Sequence, residues 1–406
     1  MDEWADCHQE SKIVVINMPY TWVELSESAI KHNISSFRNL LLPDVKLIVC
    51  VKGNAYGHGL VEVSRIIQDE ADMLAVINLR EAHELRRAEV TTPILVLGYI
   101  RETEEEILWC AAERVEIVVN SLTHAQRLSG IIESSKAAAD LKIHVKIDTG
   151  MARMGILPEH AVDYISKIYD LPHLRVRGVM SHFADITNHR DYSQEQLDAF
   201  TLIRDQLRKK KIEPLLWHIA KTEAILDFPE SHLDGARLGI GLYGLWPNIK
   251  LIDRLRAKHP EFKLKPVLTW KAKILQVKDF PAGQNVGYGC TYTTERKTRV
   301  AVIPVGYYEG YSRGLSNPPS PRRRSAGGGI VLIRGQRCPI VGRICMNMSM
   351  VDVTDAAGAR RDDEAVLIGR QGDEEINAYE IADMLDTICY EVVTRINPFI
   401  EKRIVE

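Results

Sequence analysis

The side chains that could do chemistry in this sequence stand where apolar runs end. In "IVCVKGNAYGHG", residues 48–59, Lys52 follows Ile48, Val49, Cys50 and Val51 and precedes a loop with glycines at 53, 57 and 59. An amine at the mouth of a buried strand suits Schiff-base chemistry, and a strand-end lysine reaching solvent is the plain alternative. In "IHVKIDTGMARMG", alternation puts His144, Lys146 and Asp148 on one side of a strand and Val145 and Ile147 on the other, with Arg153 on the loop beyond. A buried ion pair between Lys146 and Asp148 is the structural alternative. His182 lies in "VMSHFAD", His218 in "LLWHIAKT" and Arg237 in "GARLGIGLYG". One strand-end histidine is commonly a hydrogen-bonded structural group, but polar groups at several strand ends around one rim point to a site. Thr222, with Gly239 and Ile240, offers a hydroxyl and backbone N–H groups, which a phosphate needs; Thr222 as a plain helix cap competes. A rim amine together with a phosphate site indicates pyridoxal 5′-phosphate, whose ring accepts the charge of a carbanion.

These residues need a scaffold that brings strand ends together. Apolar runs at 46–52, 73–77, 94–97, 115–120, 143–148, 176–182, 215–220 and 236–240 alternate with helix-periodic segments such as "SESAIKHNISSFRNLL", which opens on Ser26 as an N-cap. Eight such pairs within about 240 residues predict an α/β chain with an N-terminal (β/α)8 barrel, whose chemistry sits at the C-terminal ends of its strands. A doubly wound sheet is the competing arrangement and commonly uses fewer strands. After residue 250 the pattern becomes short β-rich stretches with Gly and Pro turns, "VLTWKAKILQVKDF" and "GIVLIRGQRCPIVGRI" among them, plus one late helix in "NAYEIADMLD". The expected division is an extension over 1–20, a barrel over 21–250 and a mostly β domain over 251–406.

The 406 residues suffice for two domains, and 52 basic against 55 acidic residues give no nucleic-acid footprint. The basic run "PRRRS" at 321–325 sits among Pro, Ser and Gly and reads as a solvated loop. No apolar run approaches the ~18 residues of a membrane helix. The N-terminus "MDEWADCHQE" lacks a signal-peptide core, and seven cysteines without metal-type spacing fit free thiols. A cytoplasmic location without a bound metal is expected.

Ordered motifs then make the chain resemble the alanine racemases: "VKGNAYGHG", "KIDTGMARMGI", "SHFAD", "RLGIGLYGL", "VGYGCTYT", "VIPVGYYEGYSR" and "VGRICMNMSMVDVT", within a likeness that runs from "TWVELSESAIKHN" at 21–33 to "CYEVVTRINP" at 389–398. The resemblance implies a pyridoxal-phosphate enzyme with a barrel and a C-terminal β domain. It would interconvert L- and D-alanine with two bases and supply D-alanine for peptidoglycan. Lys52 would carry the cofactor and act as one base, and Tyr288 would be the other. Tyr56 and Thr222 would contact the phosphate, with backbone N–H groups from Gly239 and Ile240. Arg237 would face the ring nitrogen, His182 would orient Tyr288, Arg153 would bind near the cofactor's phenolic oxygen and the substrate carboxylate, and Met346 would offer its N–H to that carboxylate. Lys146 matches a position carbamylated in many members. A homodimer would share each site across its interface.

The two-base reading also follows from the chemistry, because racemisation removes a proton on one face and returns one on the other. The sequence departs from the family pattern at Asn347, where Asp is usual, at Lys221 and Thr222, where Asn and Ser are common, and at Asn397 and Pro398, where a Tyr is common. The last departure raises a serine or broad-specificity racemase as the alternative. A barrel-type decarboxylase would need a carboxylate in place of Arg237, and a vitamin B6 carrier would lack the β domain that bears Tyr288.

Overall fold

The structure, a computed structural model, describes residues 19–136, 140–248, 250–317 and 328–406. The basic run at 321–325 lies outside the described residues, as does most of the 1–20 extension. The first strand, β1 (Thr21–Ser26), leads into a helix over Glu27–Arg38. Ser26 caps that helix by accepting from the Ala29 N–H at 3.1 Å, as its type and place predict. Eight further strands follow, separated mostly by helices: β2 (Lys46–Cys50), β3 (Met73–Val76), β4 (Ile94–Val96), β5 (Val115–Val119), β6 (Leu141–Lys146), β7 (Leu174–Met180), β8 (Leu216–His218) and β9 (Gly235–Leu238). They pair in parallel and β9 closes onto β2, giving the expected barrel.

Alternation along these strands builds two cores. Leu47, Val49 and Val51 point outward into the large core beneath the helices, while Ile48 and Cys50 point inward with Met73, Ala75, Leu95, Val118 and Met180. The strands end one or two residues before the apolar runs do, because the backbone leaves strand geometry where the rim loops begin.

The second domain is mostly β. Its largest sheet runs in the order Gln336–Pro339, Ile330–Ile333, Glu364–Gln371, Leu268–Lys273, β1, Glu401–Val405. The strand β1, expected within the barrel domain, is therefore part of the second domain's sheet. Its Trp22, Val23 and Leu25 are buried, and it pairs antiparallel with Leu268–Lys273 and parallel with Glu401–Val405. A strand with two neighbours satisfies both of its polar edges, which the outside of a closed barrel cannot offer. A three-stranded sheet and the short hairpin Asn285–Val286 with Tyr292–Thr293 complete the domain, and Tyr288 stands on the hairpin's turn. Among the described residues no helix is long and apolar enough to cross a membrane.

Candidate active site

The loop after β2 answers why a lysine is delivered to the barrel mouth. Lys52–Tyr56 forms a single left-handed turn, with φ of 64° at Gly53, 54° at Asn54, 50° at Ala55 and 53° at Tyr56. Left-handed helical backbone costs about 1–2 kcal/mol per residue with a side chain, so something must hold it. One carboxylate does much of this. Glu81 Oε1 accepts from the Gly53 and Asn54 N–H groups at 2.7 and 3.1 Å, and its Oε2 accepts from the Ile77 N–H at 2.9 Å. The Asn54 side chain accepts from the Leu60 N–H at 2.8 Å and clamps the far side. Lys52 and Tyr56 are thereby set four residues apart on one rigid turn.

Tyr56 meets the end of β9. A Cβ at Gly239 would stand 3.0 Å from Tyr56 Oη and 3.5 Å from Thr222 Oγ1, so the missing side chain leaves a cradle between two hydroxyls. Thr222 is not a plain cap; it is the first residue of the helix Thr222–Asp227, and its Oγ1 accepts from the Gly239 N–H at 2.8 Å. That bond occupies the Gly239 N–H and leaves the Thr222 hydroxyl proton to donate elsewhere. Burial raises the Tyr56 phenol well above its ordinary range, so it stays a donor. Lys221, unexplained by sequence, pairs with Glu223 at 2.6 Å.

Arg237 lies buried two residues below the cradle on β9. Its Nη1 donates to His218 Nδ1 at 2.7 Å and to the His218 carbonyl at 3.0 Å. Its Nη2 donates to the carbonyls of Ser181 and Ile219 at 2.7 and 2.9 Å and to His182 Nδ1 at 3.1 Å. Both terminal nitrogens are thus engaged by the protein, and Nε–H is the remaining donor. Burial lowers the Arg237 pKa to about 10, with Arg153 adding to the effect, yet the group stays cationic at neutral pH. Burial, then the charges of Arg237, Lys221, Arg153 and Lys52, hold His182 well below the usual histidine range.

The Lys146–Asp148 pair resolves differently from a core ion pair. Asp148 Oδ1 accepts from the N–H groups of Gly150, Met151 and Ala152 at 3.1, 2.7 and 3.0 Å, and Oδ2 accepts from the Arg153 N–H at 2.8 Å. It folds the loop that carries Arg153. Burial raises the Asp148 pKa, but these four donors bring it below the ordinary carboxylate value. Lys146 is buried, and burial followed by the Arg153 and Arg237 charges lowers its pKa to about 8.

Among the expected site residues, Lys52, Tyr56, Lys146, Arg153, His182, Thr222, Arg237, Gly239 and Ile240 gather at the C-terminal end of the barrel. Tyr288 and Met346 stand apart on the second domain, 71% and 55% exposed. Asn347 Nδ2 donates to Glu309 Oε1 at 2.8 Å, so an amide suits a place where the usual carboxylate would face another. Asn397 is structural: its Nδ2 donates to the Tyr308 carbonyl at 3.0 Å and its Oδ1 accepts from the Phe399 N–H at 3.0 Å. Sequence reasoning missed Glu81 and Glu116. A charged residue in the inward register of the apolar run "VEIVV" was the available signal for Glu116.

Comparison with known proteins agrees with this arrangement. Residues 25–247 match the family model for the alanine racemase N-terminal domain, and 267–404 match that for the C-terminal domain. The alanine racemase of Methanococcus maripaludis is 40% identical over 379 residues, which cover 93% of this chain and 96% of that protein. That of Syntrophobacter fumaroxidans is 41% identical over 379 residues, 92% of this chain and 95% of the relative. The crystal structure of alanine racemase from Bacillus anthracis with bound L-Ala-P superposes with a TM-score of 0.85 at 32% identity, covering 96% of both chains. Since barrel, β domain and site residues all fall within these matches, the chain belongs to the alanine racemase family.

Proposed function

We propose that the chain is a pyridoxal 5′-phosphate-dependent racemase that interconverts L- and D-alanine, with Lys52 and Tyr288 moving the Cα proton on opposite faces. One observation carries the reading: the turn that delivers Lys52 also delivers Tyr56 to the Gly239 cradle, with the Arg237 donor directly below on β9. The residues fit the cofactor. Tyr56 and Thr222 present hydroxyl donors for a phosphate, the Ile240 N–H opens a short turn beside them, and Lys52 supplies the amine that holds the ring. When bound, the cofactor would supply the electron sink that makes the substrate Cα–H acidic.

The chain's own groups do the rest. Arg237 keeps its proton, so its Nε–H would donate to the ring nitrogen of a bound cofactor without giving up its charge, leaving that nitrogen unprotonated. Arg153, on the loop folded by Asp148, binds the substrate carboxylate together with the Met346 N–H. Lys146, with a pKa of about 8, presents enough neutral amine to capture carbon dioxide as a carbamate, whose negative charge would then face Arg153.

Tyr288 and Met346 are exposed on the second domain. A two-fold dimer in which each second domain covers the partner's barrel would complete both sites at once. Placed in the cytoplasm, the reaction would supply D-alanine for peptidoglycan. Incubation of the purified protein with L-Ala, D-Ala or L-Ser, followed by chiral amino-acid analysis, tests the reading. Either alanine enantiomer should become a racemic mixture, and a cofactor-loaded protein that leaves both unchanged refutes it.

A further inference from the structure

The buried contacts of Arg237 continue past His218. His218 Nε2 lies 2.9 Å from His144 Nδ1, and His144 Nε2 lies 2.7 Å from Glu116 Oε2. All four side chains are buried: His144 and His218 fully, and Glu116 and Arg237 each 3% exposed. They come from β5, β6, β8 and β9 and cross the polar half of the barrel.

The proton positions along this line follow from its ends. A guanidinium only donates, so His218 Nδ1 must accept from Arg237. His218 must then hold its proton on Nε2 and donate it to His144 Nδ1. His144, accepting at Nδ1, must hold its own proton on Nε2, where it meets a carboxylate that accepts. The opposite direction would leave His218 with no ring proton at all. Each bond therefore has one possible sense, from the cation at one end to the anion at the other.

We propose that Glu116 and His144 are positioning residues for the reaction, acting through His218 to fix the Arg237 guanidinium and keep its Nε–H as the donor to the cofactor. The proposal rests on the reading of the site given above and adds residues that touch neither substrate nor cofactor. Among the described residues Arg237 has no carboxylate within ion-pair distance, so Glu116 is the anion to which its charge is linked. Gly178 makes room for the line: a Cβ there would stand 2.6 Å from His144 Nδ1. On its outer side Glu116 faces Arg177, whose Nε is 3.9 Å from Oε1, and the charge of Lys142. Burial raises the Glu116 pKa, but the His144 hydrogen bond and these charges bring it below the ordinary value, consistent with an ionised acceptor.

The test is nitrogen NMR of histidine ring tautomers in the cofactor-loaded protein carrying ¹⁵N-histidine, with signals assigned from His144→Gln and His218→Gln. Both rings should show a protonated Nε2 and a bare Nδ1. A protonated Nδ1 in either ring of the wild-type protein overturns the proposal, and this measurement needs no variant of Glu116 to fold. Glu116→Gln, whose amide oxygen can still accept from His144 Nε2–H, should leave both tautomers as in the wild type, because Arg237 fixes them from the other end, while it removes the anion. By analogy with outer partners of metal-bound histidines, kcat should fall about tenfold with KM within about twofold. An unchanged kcat in a folded Glu116→Gln protein would also overturn it. A wild-type protein without racemase activity would sink the functional reading instead, and the tautomer result would still stand by itself.

Discussion

Replacing Gly178 with alanine adds one methyl group at the centre of the barrel. The new Cβ would stand 2.6 Å from His144 Nδ1, 2.8 Å from His144 Cε1 and 2.8 Å from the Leu216 carbonyl oxygen. The carbonyl belongs to the β7–β8 ladder and cannot yield without loosening the barrel. The imidazole is held between Glu116 and His218 and cannot turn without losing a bond. Overpacking a core costs about 1–3 kcal/mol. A buried hydrogen bond broken on one side adds about 1–3 kcal/mol, so the expected loss is about 2–6 kcal/mol. An unfolding entropy of about 2.1 cal/mol/K per residue gives about 0.85 kcal/mol/K for 406 residues, so Tm should fall by about 2–7 °C. Calorimetry at one fixed protomer concentration reads the shift, and steady-state kinetics should show a lower kcat with KM nearly unchanged. A Gly178→Ala protein with wild-type Tm and kcat would refute the close packing against His144.

Tyr288→Phe should cripple proton abstraction from L-alanine while Cα–H exchange of D-alanine through Lys52 persists; deuterium uptake followed for each enantiomer separately checks this, and equal loss from both argues against two bases. Mixing Lys52→Ala with Tyr288→Ala subunits should restore about one quarter of wild-type activity, because half of randomly exchanged dimers are mixed and each has one intact site of two. Absence of recovery despite proven exchange would place both bases in one chain. Lys146, if left as a free amine with a pKa of about 8 against the usual 10.5, binds fewer protons folded than unfolded between those values. Stability should therefore rise with pH across that window, and the rise should shrink in Lys146→Met, the remainder belonging to Lys402, which burial also lowers to about 8; a rise undiminished in Lys146→Met in carbonate-free buffer would contradict a depressed amine at Lys146. Alanine should be the best substrate with serine turned over detectably, since one hydroxyl in an apolar pocket is worth only ~1–3 kcal/mol; serine activity below detection would reject a widened approach at Asn397 and Pro398.

The barrel was legible because each of its strands is a short apolar run between helical periods, and because Lys146, His182 and Arg237 break those runs in one register. The place of β1 was not legible. Its buried Trp22, Val23 and Leu25 would read the same whether the strand joined a barrel or a distant sheet, and only the pairing with Leu268–Lys273, some 250 residues on, decides between them. The left-handed turn at Lys52 was hidden for a related reason. Gly53 permits it, but Ala55 and Tyr56 argue against it by type, and what overrides them is the Glu81 carboxylate, which arrives from another helix. Asp148 was placed on the correct face, with an ion pair to Lys146 as the structural alternative. Four backbone N–H groups of the following loop take its oxygens, and such an arrangement depends on a backbone path that residue types alone do not specify.

The interior of this barrel is divided, and the division explains how one fold carries both stability and chemistry. On β2, β3 and β4 the inward residues are Ile48, Cys50, Met73, Ala75 and Leu95, which fill one half with apolar atoms. On β5, β6, β8 and β9 the inward residues include Glu116, His144, Lys146, His218 and Arg237. A buried charge without a partner costs several kcal/mol, so the second half is tolerable only if its groups satisfy one another. The line from Arg237 through the two imidazoles to Glu116 does so with every proton placed. The larger core lies outside the strands, between barrel and helices, where Leu47, Val49, Val51, Ile117, Val145 and Leu238 are fully buried. Because that outer layer carries the hydrophobic burial, the inner polar half is free to hold a cation and a line of hydrogen bonds beneath the site.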